Sequence, residues 1–128
     1  MARLSYVNVF TRDLDALPDF YKAVFGFAEV EAIRSPIFRG LDAGGTCIGF
    51  NAGVAYGLLG LADEAETRGV KFLLNIDVAS QAEVDALVPR AQAVGASLIK
   101  PPYRTYYDWY QAVLKDPEGN VFRINTVL

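Results

Sequence analysis

The 128 residues of the chain are enough for one domain with a real core and too few for two ordinary domains. A hydrophobic content of 52% with 21% charged residues excludes a disordered protein, and a net charge of −3 without a run of Lys or Arg gives no electrostatic signature of nucleic-acid binding. The single cysteine, Cys47, excludes an internal disulfide framework, and no apolar run is long enough for a membrane span.

These counts predict a cytoplasmic domain that binds neither nucleic acid nor membranes. The chain also contains no histidine. Histidine is the commonest general base and the commonest transition-metal ligand, so both roles would fall to other residue types.

The first half of the chain predicts a strand, a helix and three short strands. Residues 4–10 alternate as a strand does, with Tyr6 and Asn8 on the same face. The helix that follows has Asp13 or Asp15 as a plausible N-cap and Gly26 as a plausible end. The three short strands are predicted at residues 27–32, 36–42 and 46–51.

The second half predicts the same order of elements after a short connecting helix within residues 57–69. A strand at 71–78 precedes a helix that begins at Ser80, with Glu83 in a capping box, and ends at Gly95. Three further strands are predicted at residues 97–100, 105–115 and 120–127, with Pro101-Pro102 as a break between the first two.

This duplication predicts an α+β fold in which residues 1–128 form a single domain of two βαβββ modules, at about 1–56 and 70–128. One helix per module can cover only one face of its sheet, so the other face can curve around a cavity or pack on the sister sheet. The predicted inner faces carry polar side chains: Tyr6, Asn8, Asn75, Arg123 and Asn125. Their partners would be a ligand, trapped water, an internal hydrogen-bond network or bulk solvent on an open face.

Several motifs, in this order, resemble the vicinal oxygen chelate superfamily, which includes glyoxalases, bleomycin-resistance proteins and extradiol dioxygenases. The stretch VNVFTRDLDALPDFYKAVFGF is similar to the opening strand and helix of that superfamily. The stretches AQAVGASLIKPP and LKDPEGNVFRI are similar to its second half, including an Asp-Pro-x-Gly-Asn turn at residues 116–120. The resemblance covers nearly the whole chain and implies the glyoxalase/bleomycin-resistance-like fold.

The resemblance also implies a metal ligand set of His and Glu, from which this sequence departs. The position of the first-strand His is Tyr6, its second-half counterpart lies near Leu73, and the position of the last Glu is Arg123. The remaining ligand would lie on the strand TCIGFN, which has neither carboxylate nor imidazole. Because Arg has no lone pair and stays protonated, we expect no catalytic metal and no cofactor.

Metal-free members of the superfamily include drug-binding resistance proteins with aromatic-rich crevices, usually dimers. The stretch YRTYYDWYQAVL is rich in aromatic residues, and alternation in a strand places Tyr103, Tyr107 and Trp109 on one face. The alternative is that one aromatic row is core and the other covers a dimer contact. Arg104 and Asp108 would then be ordinary cross-strand charges.

Arg123 is the sharpest candidate, because a guanidinium on an inner face can hold a carboxylate, a phosphate or a polarised carbonyl. The alternative is an internal ion pair of Arg123 with Asp77 or Glu31. Cys47 is interpreted as a small buried residue rather than a nucleophile, since no histidine can activate it.

The leading hypothesis is a metal-independent protein that binds or sequesters a small, partly aromatic or anionic molecule, as a homodimer. One alternative is a glyoxalase-type lyase or isomerase, or a dioxygenase, with a diverged active site, in which a Tyr general acid and an Arg assist catalysis. The other is a structural or regulatory module without a ligand. No catalytic residue is assigned, and the predicted ligand-binding residues are Tyr6, Asn8, Asn75, Tyr107, Trp109, Arg123 and Asn125.

Overall fold

A computed structural model describes residues 1–66 and 68–128 of the chain; Thr67, which belongs to the predicted connecting helix, lies outside the described residues. The chain divides into two compact units, Met1–Arg68 and Gly69–Leu128. In the part of the chain that the structure describes, no helix is long and apolar enough to cross a membrane.

The first unit is a four-stranded mixed sheet with one long helix. In the sheet the order is β1-β4-β3-β2, with β1 parallel to β4 and the other neighbours antiparallel. The elements are β1 (Tyr6–Thr11), α1 (Ala16–Phe25), β2 (Ala28–Glu29), β3 (Phe38–Asp42), β4 (Cys47–Ala52) and α2 (Val54–Leu58).

The helix α1 begins and ends at the predicted signals. The Asp13 carboxylate accepts hydrogen bonds from the backbone N–H groups of Asp15 and Ala16, at 3.0 and 2.9 Å, whereas Asp15 makes no side-chain cap. Gly26 ends the helix with a φ of 71°, a left-handed conformation that favours glycine. The buried face of α1 consists of Leu17, Pro18, Phe20, Tyr21 and Val24.

A network of ion pairs and hydrogen bonds connects α1 to strands β2 and β3 of the sheet. The Arg39 side chain is 4% exposed and holds Glu29, which is 2% exposed, through Nε–Oε2 and Nη2–Oε1 bonds of 3.1 and 2.7 Å. Its remaining donors reach the Leu14 and Asp15 carbonyls and the Asp19 carboxylate. The hydrogen bond from Arg39 lowers the pKa of Glu29 to about 2.

Two predictions for the first half were wrong. The strand expected at 27–32 is limited to β2, and a 3-10 turn follows at Glu31–Ile33, in which the Ile33 side chain packs against Gly40 of β3. The helix expected within 57–69 is replaced by the earlier α2 and a 3-10 turn at Ala62–Glu64. Gly60, with a φ of 73°, interrupts that segment.

The second unit repeats the order of elements in the first. Its sheet has the order β5-β8-β7-β6, with β5 parallel to β8 and the other neighbours antiparallel. The elements are β5 (Leu74–Asp77), α3 (Gln81–Ala93), β6 (Ser97–Arg104), β7 (Trp109–Lys115) and β8 (Val121–Val127). The predicted α+β fold with two βαβββ units is therefore confirmed, while their assignment to a single domain stays a prediction.

Local hydrogen bonds at the ends of elements in this unit match the sequence signals. The Ser80 hydroxyl accepts a hydrogen bond from the Glu83 N–H at 3.2 Å, and the Glu83 carboxylate accepts one from the Ala79 N–H at 2.9 Å. The two bonds together cap the N-terminus of α3. In the turn before β8, the buried Asp116 carboxylate accepts from the backbone N–H of Asn120 at 3.0 Å and from its side-chain amide at 2.9 Å. The Asp-Pro-x-Gly-Asn motif is thus a structural turn.

The break predicted at Pro101-Pro102 was wrong, because β6 runs through both prolines. β6 is the last strand of its sheet, and its pairing with β7 shifts register on both sides of Lys100. A proline lacks the N–H that a central strand needs, but an edge strand with a bulge tolerates it.

The strand predicted at 105–115 begins only at Trp109, so the shared face expected for Tyr103, Tyr107 and Trp109 was also wrong. Thr105 and Asp108 form a turn in which the Thr105 hydroxyl accepts from the Trp109 N–H at 3.0 Å and Asp108 has a φ of 61°. Tyr107 lies in this turn.

Candidate functional site

The sheet face of the second unit that points away from α3 carries most of the predicted binding residues. Strand register places Asn75 on β5 directly opposite Arg123 on β8. The next row crosses all four strands and consists of Asp77, Asn125, Gln111 and Tyr103. Six polar side chains in two adjacent rows make this face a candidate binding surface.

Arg123 is held by an amide and an aromatic ring rather than by a carboxylate. Its Nε donates to the Asn75 amide oxygen at 2.6 Å, and its Cζ lies 5.7 Å from the centre of the Trp109 ring. Among the described residues, neither Asp77 nor Glu31 pairs with it, and no protein acceptor engages its two terminal nitrogens. The guanidinium is therefore oriented but keeps unused donors.

An aromatic series leads from Arg123 to the turn between β6 and β7. The rings of Tyr107 and Trp109 meet edge to face with centroids 5.2 Å apart, and Tyr106 meets Tyr107 in the same way at 4.9 Å. Tyr106 is 97% exposed. Arg104 and Asp108 form an ion pair of 2.8 Å across this turn. Edge-to-face contacts leave ring faces free to stack on a planar molecule.

Most hydrogen-bonding groups of the row Asp77, Asn125, Gln111 and Tyr103 are paired with other side chains of the same face. The Asp77 carboxylate accepts from the side-chain amides of Asn75 and Asn125 at 2.9 and 2.8 Å, and the Gln111 amide donates to the Tyr103 hydroxyl at 2.8 Å. The carbonyl oxygens of Gln111 and Asn125 are buried without a hydrogen-bond partner among the described residues. Asn125 and Gln111 are 0% and 3% exposed, so these two side chains offer little contact surface, whereas Asp77 of the same row is exposed.

In the first unit, Tyr6 and Asn8 lie side by side along an open groove. The groove has a volume of about 550 Å³ and is lined by Ser5, Tyr6, Asn8, Ile33 and Phe38. Tyr6 and Phe38 are tilted against each other with ring centroids 6.4 Å apart. The lining contains no charged side chain, so the groove suits a neutral group.

The Tyr6 hydroxyl is a donor at neutral pH. Burial raises its pKa, and the Cys47 side chain opposite it in the strand register raises it further through electrostatic repulsion and a hydrogen bond. Cys47 is half-buried and remains a free thiol. Tyr6 and Cys47 can therefore act as hydrogen-bond donors, but no base lies beside Cys47 among the described residues to activate its sulfur as a nucleophile.

The residues at the positions of the family's metal ligands do not fit a divalent cation. Tyr6 stays protonated, Leu73 has no lone pair and precedes β5, and Arg123 presents a positive charge. Over residues 1–66 and 68–128, no three His, Cys, Asp or Glu side chains lie close enough together to hold a metal ion.

The two units place the predicted residues in two groups. In the second unit Arg123 meets both Asn75 and Trp109, and Tyr107 adjoins Trp109. Asn125 is joined to Asn75 through Asp77. In the first unit Tyr6 and Asn8 share the groove.

Sequence reasoning missed Phe38, Asn51 and Gln111. Asn51 alternates with Cys47 and Gly49 on β4, which is the signal that would have identified it.

Residues 3–124 match the sequence model of the protein family Glyoxalase/Bleomycin resistance protein/Dioxygenase superfamily. A crystal structure of a glyoxalase/bleomycin resistance protein/dioxygenase family enzyme from Burkholderia phytofirmans PsJN is 67% identical, covers 99% of this chain and 100% of its own, and superposes with a TM-score of 0.97. No curated protein matches the sequence.

More distant structures share the fold alone. A lactoylglutathione lyase from Agrobacterium tumefaciens is 18% identical over 98% of this chain and 94% of its own, with a TM-score of 0.72. TioX from Micromonospora sp. ML1 is 21% identical over 99% of this chain and 100% of its own, with a TM-score of 0.66.

Proposed function

The chain belongs to the glyoxalase/bleomycin resistance protein/dioxygenase superfamily, and we propose that within it this protein binds or sequesters a small organic molecule without a divalent metal. The observation that carries the proposal is the state of Arg123. Asn75 and Trp109 hold its guanidinium in place, and its terminal nitrogens have no acceptor among the described residues.

The chemistry of this arrangement selects a ligand that is anionic, partly aromatic, or both. A guanidinium matches the two oxygens of a carboxylate with two parallel N–H bonds, and such charge-assisted bonds are about twice as strong as neutral ones. Trp109 and Tyr107 offer ring surface beside it. Because Nε is already bound to Asn75, the ligand does not have to order the guanidinium itself, which lowers the entropic cost of binding.

The proposal is tested by titrating the protein with benzoate, a planar ring with a carboxylate, and with benzyl alcohol, its neutral counterpart. We expect benzoate to bind more tightly, and Arg123→Gln to weaken benzoate by at least about tenfold while changing benzyl alcohol little. Isothermal titration calorimetry measures both, and a rise in melting temperature with benzoate provides a second readout.

Arg104→Gln is the matched control, since it removes an exposed arginine of the same unit that is already paired with Asp108. Equal loss of benzoate affinity in both variants would mean that only net charge attracts the anion. Absence of benzoate binding at millimolar concentration would contradict the anion-anchor role of Arg123.

A second candidate function is a glyoxalase-type lyase or isomerase, or a dioxygenase, with a diverged site. It is favoured by the 67% identical protein from Burkholderia phytofirmans PsJN, which is described as a family enzyme. Elemental analysis of the purified protein separates the two candidates. A stoichiometric divalent metal that the chain retains through dialysis would favour the enzyme, and its lack would favour metal-independent binding.

The proposal includes a homodimer in the cytoplasm. Large apolar side chains remain exposed in and after α2, at Val54, Leu58, Leu59 and Leu61, which supports an interface with a second copy. Sedimentation velocity tests the assembly, and a monomer at micromolar concentration would contradict it.

A further inference from the structure

In the first unit, we propose that Asn8 is a specificity-determining donor that recognises a neutral acceptor oxygen on a planar ligand group, and that Asn51 positions it. The inference rests on the proposed small-molecule binding function and adds a ligand class to it. Its basis is the groove of about 550 Å³, along which Asn8 is exposed.

The orientation of the Asn8 amide follows from its neighbours. The Asn51 side-chain nitrogen donates to the Val9 backbone carbonyl at 3.4 Å, and a carbonyl can only accept, so the nitrogen of Asn51 must face that way. The same nitrogen donates to the Asn8 oxygen at 3.2 Å. Asn8 therefore presents its oxygen to Asn51 and turns its NH₂ group away from Asn51.

The sheet beneath Asn8 is shaped to receive this side chain. A Cβ atom at Gly49 would collide with the Asn8 side-chain oxygen and would lie 2.9 and 3.0 Å from two atoms of the Phe38 ring. At Gly40 a Cβ would lie 2.8 Å from the end of the Ile33 side chain. The two glycines let Asn8, Phe38 and Ile33 lie flat on the backbone, so that their outer surfaces form the groove.

The ligand class follows from what the groove offers. The two N–H donors of the Asn8 side-chain amide have no acceptor among the described residues, and the amide lies along the groove beside Tyr6. Phe38 and Ile33 supply apolar surface, and none of the lining side chains is charged. A ketone, amide or hydroxyl oxygen on a flat ring satisfies these donors, whereas a carboxylate would lack a counter-ion here.

Acetophenone, a ring with a ketone oxygen, and ethylbenzene, which lacks the oxygen, provide the test. We expect acetophenone to shift the side-chain NH₂ resonances of Asn8 in ¹⁵N-labelled protein and to bind about three- to tenfold more tightly than ethylbenzene. No shift of these resonances at saturating acetophenone, or equal affinity for the two probes, would overturn the proposal.

Two different substitutions should then produce the same reversal of preference. Asn8→Asp replaces the NH₂ group by an acceptor, and Asn51→Asp gives Asn8 a carboxylate to donate to, which turns its NH₂ group away from the ligand. Both are expected to lose acetophenone affinity about three- to tenfold and to gain affinity for aniline, a flat donor of similar size that is uncharged at neutral pH. A purely structural role would weaken both probes together and would overturn the assignment.

Titration of Arg123→Gln with benzoate distinguishes a failure of the proposed binding function from a failure of the groove assignment. If benzoate binding depends on Arg123 while Asn8→Asp leaves the preference between acetophenone and aniline unchanged, the groove assignment is wrong and the binding function stands. If both Asn8→Asp and Asn51→Asp reverse the preference but Arg123→Gln leaves benzoate affinity unchanged, the role of Arg123 as an anion anchor is wrong and the groove assignment stands.

Discussion

Glu29→Gln tests whether the ion network between α1 and its sheet stabilises the first unit. The substitution keeps the shape of the side chain and removes its charge, leaving the buried Arg39 with the exposed Asp19 and two backbone carbonyls. Removal of one partner from a buried pair is costly because the remaining charge stays desolvated. We therefore expect a substantial loss of stability at neutral pH.

The magnitude follows from the pKa of Glu29, which lies at about 2 in the folded protein against an ordinary value of 4.5. Each tenfold change in an acid constant corresponds to about 1.36 kcal/mol, so the ionised Glu29 contributes on the order of 3 kcal/mol. Because the folded pKa is lowered, this contribution is complete above pH 4.5 and is lost as the pH falls from 4.5 towards 2.

Urea denaturation followed by circular dichroism measures the effect at pH 7 and again at pH 3. We expect Glu29→Gln to lower the free energy of unfolding by about 3 kcal/mol at pH 7 and by clearly less at pH 3. Asp19→Asn is the control, since this carboxylate is 63% exposed and should contribute less than about 1 kcal/mol. A pH-independent loss, or equal losses in the two variants, would refute the reasoning.

Two further substitutions test local features of the first unit. Asp13→Ala removes the cap of α1 and should cost about 1 kcal/mol in urea denaturation, whereas Asp15→Ala should cost little because Asp15 makes no side-chain cap; the reverse order would contradict the assignment. Gly49→Ala should cost about 1–3 kcal/mol by the same assay and displace Asn8, so that its side-chain NH₂ resonances shift without ligand; an unchanged stability and spectrum would show that the groove floor has room to spare.

The parts of the fold set by local signals could be predicted from the sequence. The ends of α1 and α3 depend on Gly26 and on the Ser80–Glu83 pair, whose partners lie within four residues along the chain. The duplication of strand and helix order is likewise visible in short-range alternation. The course of β6 through its prolines depends instead on being an edge strand, which is a property of the whole sheet.

The candidate site was less predictable because its contacts join distant residues. Alternation could place Asn75 and Arg123 on inner faces, but their hydrogen bond joins positions 48 residues apart. Asn51 reaches Asn8 across 43 residues, and only the strand register reveals it. Tyr107 was misplaced because a stretch of aromatic residues favours a strand, while Thr105 stabilises a turn there.

The two prolines of β6 also affect how this protein can meet other chains. Successive N–H groups of a strand point alternately towards its neighbour and outwards, so one of the two prolines removes an outward donor from the rim of the second sheet. In the described parts of the chain no strand covers that rim. Because a donor is missing, the outer edge of β6 pairs poorly with a strand of another chain, which reduces the tendency to aggregate. Any self-association is then expected to use side-chain surfaces instead of strand pairing.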